Sequence, residues 1–255
     1  MRSHTQPVAI GGVGGSGTRL IASILLELRY FLGDDLNESN DNLTFTLLFK
    51  HREALSCNDE MFDQLVDVFC KAMLSGGGLS QNDIKLINYL VTIHREQHTR
   101  EWLTIRSDKL LASNKPKPIS TMWGWKEPNT HMVIDRLVQR FPDMRYIHVM
   151  RNGLDMAFSG NQNQLQTWGG VFLPDSFNSS PYYSLKLWCA THRRIIDIGR
   201  TMNDRFLLLN FDDLCSKPAS EIRKICKFLE LNPTLSEMSR LCGMVHLPES
   251  VGRYK

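Results

Sequence analysis

The stretch that most constrains the fold of this chain is PVAIGGVGGSGTRLIASIL, at positions 7–25. The apolar run at 8–10 is typical of a buried strand, and the apolar spacing over 18–28 predicts an amphipathic helix. Glycines fill the turn between them and let the backbone approach an anion closely. Because the free amides and the dipole of a helix N-terminus both favour negative charge, the segment predicts a phosphate-binding loop.

The loop alone fits more than one class of protein. Its glycine spacing over 12–17 matches the dinucleotide fingerprint, and the acidic pair at 34–35 stands near the place of a ribose-binding carboxylate. A Walker loop requires a lysine before its Ser or Thr, whereas positions 17–19 are Gly-Thr-Arg. A plain glycine turn is a further alternative, so other segments must identify the phosphate-bearing ligand.

Composition narrows the class of protein. The chain has 255 residues, of which 42% are hydrophobic, which is enough for one α/β domain spanning 1–255. A net charge of +3 is too small to indicate nucleic-acid binding. The six cysteines show no zinc or CxxC spacing, so we expect no metal. With neither a signal peptide nor a membrane span, we expect a cytoplasmic protein; no oligomeric state is indicated.

The order of predicted elements indicates a central parallel sheet with helices on both faces. About 40–115 forms a helical insertion, with helices at 52–74 and 82–105, that caps the strand ends where ligands bind in such folds. The Gln-, Asn-, Gly- and Pro-rich segment 161–183 predicts a loop over the site. The remaining predicted strands are 122–125, 146–150 and 206–210, and the remaining helices are 129–141, 185–201 and 219–229.

A second informative stretch is RYIHVMRNGLDMAFSGN, at 145–161. Its strand ends in Arg151, and Ser159 follows eight residues later, so a guanidinium and a hydroxyl can converge on one phosphate. This pattern resembles the 3′-phosphate motif of the sulfotransferases that use 3′-phosphoadenosine 5′-phosphosulfate (PAPS). In that family the glycine loop cradles the 5′-phosphosulfate.

Two later segments extend the resemblance. Residues 205–231 are similar to the family's late strand and helix, and SVGRYK at 250–255 looks like its closing loop, in which Arg253 reaches the 3′-phosphate. The resemblance implies a P-loop NTPase-like α/β fold, PAPS as donor and 3′-phosphoadenosine 5′-phosphate (PAP) as product. It implies nucleotide binding by Gly14, Gly15, Ser16, Gly17, Thr18, Arg19, Arg151, Ser159 and Arg253.

One position departs from the family pattern, in which a lysine or arginine usually precedes Ser-Gly-Thr and touches the leaving oxygen. Gly15 occupies that place here. Two cations can substitute: Lys126, whose place in WGWKEP resembles a second catalytic lysine of the glycan and tyrosylprotein branches, and Arg19 as a helper. We expect Lys126 to act on the sulfonate.

The same branches place a carboxylate base after the first helix, and Asp35 matches that position, with Glu38 in reserve and His51 and His131 as alternatives. The resemblance thus implies sulfonate transfer to a hydroxyl or amine of a small-molecule, glycan or peptide acceptor. The departure at Gly15 leaves open a non-catalytic homologue that binds PAP or PAPS. The literal fingerprint leaves open an NAD(P)-dependent oxidoreductase.

Overall fold

The architecture is a parallel sheet between two layers of helices, seen in a computed structural model that describes residues 6–74, 78–112, 122–249, 251–252 and 254. Four parallel strands in the described residues form one sheet in the order β2-β1-β3-β4. They are β1 (Val8–Gly12), β2 (Gly124–Lys126), β3 (Arg145–Met150) and β4 (Phe206–Asn210). The predicted α/β class is therefore confirmed.

The helices fall into groups along the chain. The first follows the glycine loop: α1 (Thr18–Glu27). The insertion contributes α2 (Leu43–Phe49), α3 (Glu53–Ser56), α4 (Asp59–Met73), α5 (Gln81–Thr92) and α6 (Arg100–Ala112). Between the later strands lie α7 (Thr130–Arg140), α8 (Gly153–Ala157), α9 (Asn163–Phe172) and α10 (Pro181–Met202). After β4 come α11 (Phe211–Ser216), α12 (Pro218–Phe228) and α13 (Leu235–Gly243).

Each face of the sheet has its own apolar core. Because side chains alternate along a strand, Ala9 faces one layer while Val8 and Ile10 face the other. The first core contains residues of the insertion, and Trp125 of β2 stacks on Phe45 of α2 with ring centroids 5.7 Å apart. The second core joins β1 and β3 to α1, α12 and α13. Both faces are thus buried, as a parallel sheet requires.

Three sequence expectations about helices were wrong. Segment 161–183 contains α9, whose Leu165, Trp168 and Gly169 are buried at helical spacing within an otherwise polar composition. The predicted helix at 52–74 is interrupted at 57–58, between α3 and α4. The predicted helix at 82–105 is interrupted between α5 and α6 by a turn at 93–99. Arg95 holds that turn, since its guanidinium donates to backbone carbonyls of α2.

The topology brings several chain turns to one edge of the sheet. The glycine loop follows β1, Lys126 ends β2, and Arg151 follows β3. The carboxyl ends of parallel strands share one edge, which is where ligands bind in open α/β sheets. Within the described residues, no helix combines the length and apolar character needed to cross a membrane.

Candidate functional site

The glycine loop connects β1 to α1 through two residues in left-handed conformation, Gly15 (φ +89°) and Gly17 (φ +96°). A Cβ at Gly17 would lie 2.1 Å from the ring of Phe211, so this position accepts only glycine without a shift. The first amides of α1 have no acceptor within the helix and point towards the loop. The segment is therefore built as an anion site.

Ser16 lies within this loop with only 1% of its surface exposed. Among the residues that the structure describes, its Oγ has no hydrogen-bond partner. A buried hydroxyl without a partner calls for an explanation, and a bound ion is one of those that fit. The orphaned Ser16 hydroxyl at a helix N-terminus thus fits a loop that is completed by a bound phosphate group.

A cavity of about 430 Å³ opens against the loop; we call it the glycine-loop cavity. It contains three cations, Arg19, Lys50 and Lys126, and two carboxylates, Asp41 and Glu127. The predicted site residues that it brings together are Gly14, Gly15, Gly17, Thr18, Arg19 and Lys126. A helix N-terminus combined with several cations suits a polyanionic ligand.

Lys126 reaches this cavity because β2 pairs with β1, where Lys126 lies opposite Ile10. Its side chain is 2% exposed, and its ammonium donates to the Asp41 carboxylate and to the carbonyl of Ser39 at 3.1 Å. Arg19 donates to the hydroxyl of Ser39. The two cations predicted to replace the loop lysine therefore share partners in one short segment.

Glu127 is a buried carboxylate in the same cavity. It accepts hydrogen bonds from the amide and the side chain of Asn129, and the Lys50 ammonium lies 3.8 Å away. Burial raises the pKa of Glu127, and the charge of Lys50 opposes that shift. The cavity thus holds one carboxyl with a raised pKa next to the buried ammonium of Lys126.

The structure does not bring Asp35 to the glycine-loop cavity. Its carboxylate lies 2.9 Å from both the Arg106 guanidinium and the Lys109 ammonium, beside a separate cavity of about 210 Å³. Glu38, the reserve base, is exposed and does not line the glycine-loop cavity either. Asp41 stands there instead, in the same acidic stretch but six residues later than the position predicted by resemblance.

Sequence reasoning missed Asp41 and Glu127 as site residues. Asp41 reaches Lys126 because a tight turn brings it back, with Asn40 at φ +61° and the Asn37 side chain accepting from the Asp41 amide. The sequence of a loop has no periodicity that would indicate where a carboxylate side chain points. For Glu127 the available signal was its place directly after Lys126 at the end of a strand.

Arg151 lies against the glycine loop from the end of β3. Its guanidinium donates to the Gly15 carbonyl at 3.4 Å and lies 3.8 Å from the Asp155 carboxylate. The carbonyl of Arg151 accepts a hydrogen bond from the indole of Trp188 at 3.1 Å. The predicted 3′-phosphate residue is thus buried next to the loop, although it does not line the glycine-loop cavity.

The other predicted 3′-phosphate residues are less closely placed. Ser159 follows α8, and its hydroxyl accepts from the Asn161 amide at 3.2 Å. Near the chain end, the amide of Gly252 donates to Asp155 at 2.8 Å, so this segment contacts the carboxylate that pairs with Arg151. Arg253 lies outside the described residues.

Three histidines form a buried row, with ring centroids of His131 and His148 6.1 Å apart and those of His148 and His192 5.2 Å apart. Burial lowers the pKa of all three, that of His131 to about 3. His131 and His51, the alternative bases, do not line the glycine-loop cavity. Across the described ranges, no cluster of three or more His, Cys, Asp or Glu is arranged to hold a metal ion.

Proteins similar to this chain are found among the solved structures. No curated protein matches the chain. Similar solved structures include the sulfotransferase domain of the Synechococcus PCC 7002 olefin synthase (17% identity, TM-score 0.49, 97% of this chain and 79% of that one). Others are sulfotransferases from Alicyclobacillus acidocaldarius (13%, 0.46, 96% and 85%) and Mycobacterium avium (16%, 0.46, 93% and 67%).

The family model described as "Sulfotransferase family" matches residues 7–234, which include all four strands and the glycine loop. This match covers most of the chain. The chain belongs to the sulfotransferase family.

Proposed function

We propose that this protein transfers the sulfonate group of PAPS to a hydroxyl or amine of an acceptor and releases PAP. The observation that carries the proposal is that the glycine loop, Arg19 and Lys126 line one cavity at the carboxyl edge of the sheet. Membership of the sulfotransferase family supports the reaction class. We take 1–255 as one domain.

The donor side uses the loop and the end of β3. Backbone amides at the start of α1 and the hydroxyls of Ser16 and Thr18 would hold the 5′-phosphosulfate. Arg151 would bind the 3′-phosphate, with Ser159 and Arg253 as further donors. The buried position of Arg151 supports this role, since a guanidinium held beside the loop needs little reordering to bind an anion.

The chemistry supplied by PAPS is an activated sulfonate that is displaced when the bond from sulfur to the bridging phosphate oxygen breaks. Lys126 would stabilise the negative charge that develops on that oxygen, and Arg19 would assist. Asp41 keeps the Lys126 ammonium in place before the donor binds. Lys126 and Arg19 would together take the role of the lysine or arginine that stands at the place of Gly15 elsewhere in the family.

We assign the general base to Asp41 rather than Asp35. A base must lie within hydrogen-bond reach of the acceptor, and Asp41 lines the glycine-loop cavity whereas Asp35 lies between Arg106 and Lys109. The Asp41 side chain is 21% exposed, so an incoming hydroxyl can approach it. The buried Glu127 instead anchors Lys50 at the cavity wall.

A thermal-shift titration with PAP, using NADH and ATP as comparisons, tests the nucleotide assignment. A ligand at one hundred times its dissociation constant stabilises the folded state by about 2.7 kcal/mol, and we expect this for PAP alone. Stabilisation by NADH alone would favour the oxidoreductase. Hydrolytic or acceptor-dependent conversion of PAPS to PAP, followed by chromatography, then separates an enzyme from a non-catalytic homologue.

A further inference from the structure

Helix α9 and the residues before it form one wall of the glycine-loop cavity. They bring three carboxamide side chains to its lining, those of Asn161, Asn163 and Gln164. Asn161 and Asn163 are exposed, whereas Gln164 is half-buried. A Cβ built on Gly14 would lie 3.4 Å from the amide nitrogen of Gln164, so this side chain packs directly against the glycine loop.

The orientation of the Gln164 amide is fixed by Asn129, which lies just after β2. The indole nitrogen of Trp168 is 2.7 Å from Oδ1 of Asn129, and an indole can only donate, so Oδ1 is an acceptor. The side-chain nitrogen of Gln164 lies 2.9 Å from the same Oδ1. With the amide reversed, two acceptor oxygens would face each other, so the nitrogen of Gln164 must stand on this side.

The oxygen of the Gln164 amide has a partner of its own. It lies 3.4 Å from Nε2 of His131, a long hydrogen bond in which the imidazole donates. Burial lowers the pKa of His131 to about 3, so the ring is neutral. The amide nitrogen carries two hydrogens, and one of them goes to Asn129. The second hydrogen has no acceptor among the described residues, which leaves it for a ligand.

Helix α9 is held in place by contacts that do not involve Gln164. The side-chain nitrogen of Gln97 donates to the carbonyl of Asn163 at 3.0 Å and to the hydroxyl of Thr167 at 2.8 Å. Arg52 donates to the carbonyl of Thr167 at 3.2 Å. The amide of Gln164 is therefore preorganised, and a ligand can bind it without the cost of ordering a flexible side chain.

The glycine loop itself offers no side-chain donor at the next position. At Gly15, the nearest atoms to an added Cβ are the methyl carbon and the sulfur of Met156, at 3.6 and 3.9 Å. Neither atom can donate a hydrogen bond. A sulfonate spreads its charge over three oxygens, so a donor beside the loop adds a charge-assisted hydrogen bond to those of Arg19 and Lys126.

We propose that Gln164 is a donor-binding residue, which gives its second amide hydrogen to the sulfonate of PAPS beside the glycine loop. The inference rests on the proposed function and adds a residue to its donor site. Gln164 keeps both of its hydrogens during transfer, so the proton of the acceptor still passes to Asp41.

This contact distinguishes the two forms of the nucleotide. The sulfonate is present in PAPS and absent from PAP, so the hydrogen bond from Gln164 forms with the loaded donor only. Gln164 therefore favours binding of PAPS over binding of PAP. A residue that merely supported the glycine loop would affect both nucleotides alike, because both carry the 5′-phosphate.

Isothermal titration calorimetry with PAPS and with PAP, in the absence of an acceptor, tests the inference. Gln164→Met keeps the length of the side chain and removes its polar atoms. We expect this variant to raise the dissociation constant of PAPS roughly tenfold, the effect of losing one hydrogen bond to a charged group. The dissociation constant of PAP should stay close to that of the parent protein.

A second substitution and a matched position serve as controls. Gln164→Glu keeps the shape of the side chain but replaces the donor by an anion, so it should weaken PAPS binding more than Gln164→Met does. Gln166 lies two positions further along α9, is exposed and does not line the glycine-loop cavity. Gln166→Met and Gln166→Glu should bind both nucleotides like the parent protein.

The outcomes separate the two proposals. If the parent protein binds neither PAPS nor PAP, the proposed function is wrong and the role of Gln164 falls with it. If the parent protein binds both, and Gln164→Met binds PAPS as tightly as Gln166→Met does, only the inference is overturned. An equal loss of PAPS and PAP affinity in Gln164→Met also overturns it, since the side chain would then act through the loop or the fold.

Discussion

At the residue scale, the buried ammonium of Lys126 is the group on which the proposed reaction depends most. Taking a charge out of water is costly unless it is paired, and the carboxylate of Asp41 and the carbonyl of Ser39 provide that pairing. A donor sulfonate entering the glycine-loop cavity adds a further anionic partner. In the proposed reaction, Lys126 therefore stabilises the negative charge that develops on the donor. Asp41 holds the Lys126 ammonium in place between turnovers.

We expect Lys126→Ala to reduce the rate constant of PAPS-dependent transfer by about 10²–10³-fold, the usual effect of removing one stabilising donor from a transition state. PAP affinity should change far less. Steady-state measurement of PAP formation gives the rate, and Lys186→Ala is the control because Lys186 is exposed beside Tyr182. An equal loss of transfer rate in both variants would contradict the catalytic role proposed for Lys126.

The two aspartates give a second residue-scale prediction. Asp41→Asn should slow transfer by about 10²-fold or more while PAP affinity is largely kept, since a base acts in the transition state. Asp35→Asn should lower stability through its contacts with Arg106 and Lys109 but slow transfer little. The opposite ranking of transfer rates would return the base to Asp35, as the family resemblance suggested.

At the scale of elements, the glycine loop combines conformational and steric demands that differ between neighbouring positions. Gly15 and Gly17 share a positive φ. At Gly15 the nearest atom to an added Cβ is a methyl carbon of Met156 at 3.6 Å, an ordinary contact, whereas at Gly17 it is the ring of Phe211 at 2.1 Å. Phe211 begins α11, so the loop is packed against the end of β4.

This difference predicts unequal stability losses. Gly15→Ala should lower the free energy of unfolding by about 1 kcal/mol, the cost of a positive φ for a residue with a side chain. Gly17→Ala should cost about 3 kcal/mol or more, because overpacking against Phe211 is added. Urea denaturation of the two variants measures both values, and similar losses would mean that the ring moves aside freely.

Much of the layout of elements could be predicted from sequence, because burial leaves a periodic record. The strands at 8–10, 146–150 and 206–210 and the helix at 129–141 were predicted close to their observed bounds. By contrast, α9 was not predicted. Its buried Gly169 packs against Phe177, a contact that the polar composition of segment 161–183 does not indicate.

Like the fold, the site could be predicted from the sequence only in part. Gly14, Gly15, Gly17, Thr18, Arg19 and Lys126 line one cavity, since the strand order fixes where their elements end. The choice between Asp35 and Asp41 depended on a turn closed by Asn37 and Asn40, which has no repeating pattern. The predicted nucleotide and catalytic roles of these residues remain predictions.

At the scale of the whole molecule, His131, His148 and His192 join the sheet to α7 and α10 as neutral buried rings. Burial holds each folded-state pKa below the ordinary histidine value of 6.5. The unfolded chain therefore binds more protons than the folded chain once the pH falls below about 6.5. Stability is present above that pH and is lost as the pH decreases.

We expect the free energy of unfolding to fall between pH 7.5 and pH 5.5, by about 1 kcal/mol for His131, whose folded-state pKa is about 3, with further losses in the same direction for His148 and His192. Urea denaturation at the two pH values measures the change. His131→Leu, which removes one protonation site, should reduce the difference between the two values. A free energy of unfolding that stays constant across this range would show that the rings take up protons without unfolding.

The positions of the tryptophans carry one more consequence. Trp188 donates its indole hydrogen to the carbonyl of Arg151, whereas Trp123, Trp125 and Trp168 are buried in the interior. Trp188 thus contacts the residue proposed to bind the 3′-phosphate. Its fluorescence is a natural optical reporter of nucleotide arrival, so donor binding can be followed without a label.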